Sequence, residues 1–498
     1  MNAPMLGMYV HQHWAYRHPY AARTWTLEDW RGYAGGLRRI GYDTVMIWPM
    51  LETMPDPPTA SDWETVERVA AVIAMLHEEL SMRALLVLTP NVAARDEEAS
   101  RYAFADRPFF HCDTRIDPAD PAALSSLVKR RVKLLAPLAA MDGLSIIDSD
   151  PGGYPSSTNL EFVYLLLAHR RMLDDLRPGI ELLYWCFAGW EAYGRYYATG
   201  SFSWGSDAES ADCIRLLSKQ APEPWGLMGP RRELAASVGC GERMTAFPYG
   251  AIEGEPSFPL TGFGSDAAFR AGSEMSPRGI MGNAQTHCVQ LPNTFAFARG
   301  ARGLPLAESD YIAFAEDLLP NLGARVTESW KALGGDAPEG MEDRAADLRR
   351  LSRCPLRTGP LRGLLFGDGS RFLADLALQL AMKAALLRLR RVVDTDPGRS
   401  GSRAEALGAF AVAASAWQQT HGYSNYWPWP LLQETLAKLD DPVVNAALRE
   451  GYEGEGDTPF ERVKNGFARV ETYTTRLLDS MRRAGRPPGF RNAKEEQI

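Results

Sequence analysis

The sequence predicts a (β/α)₈ barrel followed by an all-α C-terminal domain. Short apolar runs alternate with longer amphipathic ones along the first three hundred residues, which is the pattern of parallel strands joined by crossover helices. That alternation stops near residue 304, and the remainder of the chain reads as helix after helix. No GxGxxG or GxxxxGK[ST] comes after any apolar run, so the rival doubly wound sheet lacks its nucleotide-binding form.

The apolar runs are Met5–Val10, Thr44–Trp48, Ala84–Leu88, Leu144–Ile147, Glu181–Phe187, Trp225–Met228, Met244–Pro248 and Gly279–Met281. Between them, Leu27–Ile40, Asp62–Leu80, Ala122–Leu138, Asn159–Leu176, Asp207–Leu217 and Arg231–Val238 carry helical periodicity. Ser61 with Glu64 three residues on reads as a capping box opening the second of these. The seventh crossover is the least defined. Further helices are predicted over 308–334, 343–352, 368–395, 402–420, 428–448 and 458–483, broken at Gly367-Asp368-Gly369 and at residues 394–402. The expected division is a barrel over 1–305, a helical domain over 306–485 and a disordered tail over 486–498.

Bulk composition excludes several classes. Of 498 residues, 45% are apolar and 23% charged, and the net charge is −8. Such a chain is an ordinary packed globular one, and an acidic one is a poor nucleic-acid binder. Arg388, Arg390 and Arg391 fall in a helical pattern and read as a solvated face. The six cysteines (112, 186, 213, 240, 288 and 354) form no CxxC pair, so no zinc knuckle or dithiol motif is present. The N-terminus lacks the charged and apolar regions of a signal peptide. The apolar stretch Leu376–Leu387 carries Gln379 and Lys383 and is too short to span a bilayer. A cytoplasmic protein without cofactor is expected. Its partner is a small-molecule or oligosaccharide substrate, not nucleic acid or membrane, and a homodimer would form through the helical domain.

In such barrels the active site lies where the loops after the strands converge. After strand one come His11, His13 and Trp14; after strand two, Trp48 and Glu52; after strand three, Asn91; after strand four, Asp148 and Asp150. After strand five come Trp185, Trp190 and Glu191; after strand seven, Tyr249 and Glu253; after strand eight, Asn283, Gln285 and His287. Indole faces stack on pyranose C–H faces, while amides and carboxylates grip hydroxyls. Asp148 and Asp150 would face one way if the strand persisted that far, and each would raise the other's proton affinity. Asp148, Asp150 and Glu253 are therefore the catalytic candidates. The other residues named, Glu191 apart, are the substrate-binding ones.

His11 and His13 also have the spacing of a metal-binding pair on a strand. The later strands supply no matching histidines, so no metal is assigned and a metal-dependent hydrolase or lyase is the alternative. A barrel that binds carbohydrate without catalysis is another. The segment 421–436, with Tyr423, Tyr426, Trp427 and Trp429, reads as a packing plug or as an aromatic lid.

The turn Asp150-Pro151-Gly152-Gly153 resembles the Asp-x-Gly-Gly segment after strand four in glycoside hydrolases of the α-glucuronidase and β-hexosaminidase kind. The likeness covers residues 5–303 in architecture and the strand-four turn in sequence. It implies glycosidic hydrolysis with an acid from this turn. The acidic pair is adjacent in the hexosaminidase-like families, whereas here Ser149 separates it, and the chitinase pattern DGxDxDxE is not met at Asp142-Gly143.

Overall fold

The computed structural model describes residues 4–12, 14, 17–107, 114–150, 152–201, 203–229, 232–254, 260–263, 265–395, 400–422, 430–450 and 473–485. Eight parallel strands close into a barrel: β1 (Met5–His11), β2 (Thr44–Trp48), β3 (Arg83–Leu88), β4 (Gly143–Ile147), β5 (Glu181–Trp185), β6 (Trp225–Gly229), β7 (Met244–Ala246) and β8 (Gly279–Asn283). β1 pairs with both β2 and β8, which leaves no exposed sheet edge. Their residues are almost all buried, as strands covered by helices outside and packed side chains inside must be.

The crossovers carry α1 (Leu27–Arg39), α2 (Ala60–Glu78), α3 (Pro121–Leu135), α4 (Asn159–Leu176), α5 (Trp190–Thr199), α6 (Asp207–Ser218), α7 (Arg232–Ser237), α8 (Ser265–Ser273) and α9 (Leu291–Ala301). α2 begins two residues earlier than its sequence suggested. Its cap is Thr59, whose amide donates to Asp62 at 2.8 Å, so the capping box is Thr59–Asp62 and not Ser61–Glu64. α5 directly after β5, and α8 in the obscure seventh crossover, are the elements the pattern did not reveal. A two-residue antiparallel ribbon, Val92–Ala93 with Thr114–Arg115, stands on the β3–α3 connection.

Beyond residue 304 the chain is helical: Glu308–Leu318, Gly323–Gly334, Met341–Leu351, Gly369–Thr395, Ser400–His421, Pro430–Leu439, Pro442–Glu450 and Tyr473–Ala484. Two segments read as single helices are each broken, at Asn321 and at Asp440, both in the left-handed conformation. The architecture changes near residue 305, but the core does not. Phe314, Trp330, Leu364 and Leu373 belong to the same buried cluster as the barrel strands. A second cluster joins Trp14, Tyr20 and Cys288 to the helices from Met382 to Met481. Among the described residues no helix is long and apolar enough to cross a membrane.

Register decides what fills the barrel. Gly7, Tyr9 and His11 of β1 lie beside Thr44, Met46 and Trp48 of β2, and alternate residues share a face. Tyr9 meets Trp185 of β5, on the far side of the barrel, at 5.4 Å between ring centroids, so this is the inward face. At the amino end Glu181 bridges Arg278 at 2.5 Å and Arg83 at 3.8 Å, closing that end with charge. The carboxyl end is lined with aromatic rings.

Candidate active site

The floor of the carboxyl-end mouth is set by the period of two. Tyr9 and His11 from β1, Trp48 from β2 and Trp185 from β5 stand on inward positions, and Phe187, just past β5, with Phe247 and Tyr249, just past β7, joins them through ring contacts. Tyr9 contacts His11 at 5.5 Å, Trp185 at 5.4 Å and Phe247 at 5.8 Å. His11 lies against Trp48 at 4.6 Å and near Trp14 at 6.0 Å. Trp185 packs on Phe247 at 4.6 Å, and Phe187 touches Tyr249 at 5.4 Å and Trp204 at 5.3 Å. The Trp14 indole N–H donates to Gln285, which joins the β1 and β8 loops.

Two polar atoms in this layer are buried without a protein partner among the described residues: Trp185 Nε1 and Asn283 Oδ1. A buried group of this kind forfeits its solvation until water or a ligand completes its bonding; such atoms occur elsewhere in the molecule too, at the Trp30, Trp330 and Trp417 indoles among others. The Asn283 amide nitrogen, by contrast, donates to the Glu253 carbonyl at 2.9 Å, which fixes which end of the amide faces the lumen. His11 is held well below the usual histidine pKa by burial, then by Arg23 and His287, so it sits in the mouth as a neutral ring.

The acidic candidates divide by environment. β4 ends at Ile147, so the two aspartates do not continue one strand face. Asp148 is wholly buried and takes Tyr184 Oη at 3.1 Å, Phe187 N–H at 3.2 Å and Ala188 N–H at 3.2 Å. Tyr184 in turn packs on Phe162 of α4, so Asp148 faces the barrel–helix layer and clamps the β5–α5 turn. Burial pushes its carboxyl up to about 6 against the pull of these donors.

Asp150 is half-buried, in the left-handed conformation at φ 66°, and takes Tyr193 Oη at 3.2 Å. Burial, with the Asp148 charge adding to it, raises its carboxyl to about 6 as well.

Glu253 is a loop-builder. It accepts from Gln285 N–H at 2.7 Å, Thr286 N–H at 2.6 Å and Thr286 Oγ1 at 2.5 Å, so both its oxygens are engaged. Glu52 takes the Thr89 amide and, at 3.3 Å, the Trp48 indole N–H. Burial raises the pKa of both glutamates.

Other expected residues are taken up by loop and helix contacts. Asn91 stitches loops together through the carbonyls of Ile116 (2.8 Å) and Gly153 (3.2 Å). Glu191 accepts the Asn159 amide at 2.9 Å. Trp190 stacks on Phe162 at 5.1 Å, packing α5 on α4. His287 bonds Tyr33 Oη at 2.8 Å and lies against Trp25, between the β8 loop and α1. His13 and the aromatic residues 423, 426, 427 and 429 lie outside the described residues. No group of three or more metal-binding side chains occurs among the described residues.

Sequence reasoning missed Tyr9, Phe187, Trp204 and Phe247. One of them was findable: Tyr9 precedes His11 by two on β1, the spacing that places residues on one strand face. Phe187 and Phe247 come after β5 and β7 have ended, where that period no longer holds. Trp204 comes from the loop between α5 and α6 and carried no such signal.

No protein-family model and no curated protein sequence matches the chain. Among solved structures it is similar to a glycoside hydrolase family 20 β-N-acetylglucosaminidase, with 10% identity, 60% of this chain and 70% of that chain covered, and a TM-score of 0.36. It is also similar to Amy13B of Eubacterium rectale, with 8% identity, 57% and 67% covered, and a TM-score of 0.37. The N-acetylneuraminate lyase of Aliivibrio salmonicida is another, with 12% identity, 76% and 97% covered, and a TM-score of 0.34. At such values these likenesses carry no weight for activity, and function must be argued from the residues themselves.

Proposed function

We propose that the protein is a carbohydrate-active enzyme, a glycosidase, that binds a sugar ring over the aromatic floor of the barrel mouth. The observation that carries this reading is the combination of a floor of rings with the unpartnered Trp185 indole N–H and Asn283 side-chain amide oxygen. Apolar faces with a few placed polar groups suit a ligand that is itself a C–H face edged with hydroxyls. A neutral His11 can donate or accept toward a hydroxyl without demanding a charged ligand.

In this reading Asp150 gives its proton to the departing oxygen as the glycosidic C–O bond breaks, a water molecule bonds to the anomeric carbon, and the proton that this water loses restores the Asp150 carboxyl. Asp150 is the aspartate of the pair that is only half-buried as a residue, and a pKa near 6 suits an acid working close to neutrality. Tyr193 steers the carboxyl. Asp148 acts indirectly, by holding the turn that carries Phe187.

The test is a panel of aryl glycosides assayed with wild type and Asp150→Asn. Turnover by wild type and a loss of at least about a hundredfold in kcat for the variant, with sugar binding retained, is the expected result. Equal turnover by both proteins would remove Asp150 from the chemistry. Absence of turnover by wild type, together with sugar binding, would leave a carbohydrate-binding barrel and no glycosidase.

A further inference from the structure

One large aromatic residue beside the mouth is exposed where its neighbours are not. Trp204 is 57% exposed, whereas Trp14, Trp48 and Trp185 are each 2% or less. A single exposed indole is ordinary on a loose loop, but this one is held on its C-terminal side. Gly205 N–H donates to the Ala188 carbonyl at 2.8 Å. A Cβ on Gly205 would lie 3.0 Å from that carbonyl and 3.3 Å from the Gly189 Cα, so the two backbones pack directly together. Gly189 itself has φ 97°, a conformation that side chains resist. The next residue, Ser206, opens α6 with a reciprocal cap to Glu209 at 2.8 and 3.2 Å, and Glu209 is pinned by Arg195 at 2.7 Å. The loop is thus tied to the same β5–α5 turn that Asp148 clamps.

That anchoring fixes where the indole stands. Trp204 meets Phe187 edge-on, at 5.3 Å and 87°, and Phe187 lies 6.2 Å from Trp185. These are the spacings of rings in contact. Trp204 therefore lies one ring outward from Phe187, on the solvent side.

Resting on the carbohydrate reading above, we infer that Trp204 is the platform of a second, outer subsite. The ligand is accordingly at least two sugar rings long, an oligosaccharide or the end of a glycan, and not a free monosaccharide. Trp204 touches the outer ring and sets chain-length preference, while the inner ring lies against Phe187 and Tyr249, the partly exposed rings of the floor.

The experiment uses the full chain. A printed glycan array carrying mono- to hexasaccharides first picks the sugar type. The monosaccharide and the trisaccharide of that type are then titrated calorimetrically against wild type, Trp204→Ala and Trp204→Phe. The alanine variant is expected to lose at least about fivefold in trisaccharide affinity, from removal of one ring contact. Monosaccharide affinity should stay within about twofold, and phenylalanine should restore most of the loss. Trisaccharide affinity unchanged in Trp204→Ala, or mono- and trisaccharide weakened alike, would overturn the outer subsite and leave the inner site standing. Failure of wild type to bind any glycan on the array would overturn the carbohydrate reading, and the subsite with it.

Discussion

Asp148 gives the sharpest physical test. Its carboxyl is fully buried and lifted to about 6 from an ordinary 3.8. A folded pKa above the unfolded one means that the native state holds its proton where the unfolded chain has lost it. The stability this contributes is present at low pH and is lost as pH rises through about 6. At about 1.4 kcal/mol per pH unit, the buried ionised group costs about 3 kcal/mol at pH 8, and about 1.5 kcal/mol of that accrues between pH 5 and pH 8. Asparagine matches the protonated acid in shape and does not ionise. Its other effects, such as presenting an amide NH₂ to Tyr184, do not change with pH. Urea unfolding of wild type and Asp148→Asn at pH 5 and at pH 8 reads this ionisation together with the part of the Asp150 shift that the Asp148 charge causes, which acts in the same direction. The variant should gain about 1.5 kcal/mol on wild type between the two pH values. A stability gap that stays constant, or that moves toward wild type, would refute a buried carboxyl of raised pKa at this position.

The same contacts lead to further expected outcomes. Glu253→Ala strands the Gln285 and Thr286 amides and the Thr286 hydroxyl, at about 1–3 kcal/mol for each buried donor, so a fall of several degrees in Tm is expected and a fall under one degree would contradict it. Asp62→Ala leaves Arg107, buried and paired at 2.8 Å, without its charge partner; a loss of about 3–5 kcal/mol by denaturant titration is expected. Tyr193→Phe removes a donor that favours ionised Asp150, so the descending limb of the kcat–pH profile should move to higher pH, and an unmoved limb would argue against Asp150 as the acid.

The barrel was legible because its strands are buried on both faces and therefore read as continuous apolar runs, set between caps and amphipathic helices. The capping box slipped by two because Ser61 and Glu64 imitate the signature that Thr59 and Asp62 carry out. At the site, strand ends located the mouth but not the direction of each side chain. Asp148 and Asp150 differ because the strand stops at Ile147 and the turn puts Asp150 at positive φ, and nothing in IIDSDPGG announces where that stop falls. Trp190 and His287 come after strands yet point into helix packing, since a loop restarts the alternation with a new phase. Glu253 looks in sequence like any loop glutamate, and its role appears only when the amides of residues 285 and 286, far along the chain, close on it. Tyr9 was within reach by stepping back two residues from His11 along β1.

The most direct measurement of whether the mouth holds a sugar is saturation-transfer NMR between the full chain and the monosaccharide selected on the array, repeated with Phe187→Ala. Strong transfer to the ring C–H protons of one face, lost in the variant, is the result that an aromatic floor at the carboxyl end of the barrel requires. Equal transfer to both proteins would place sugar binding elsewhere on the molecule.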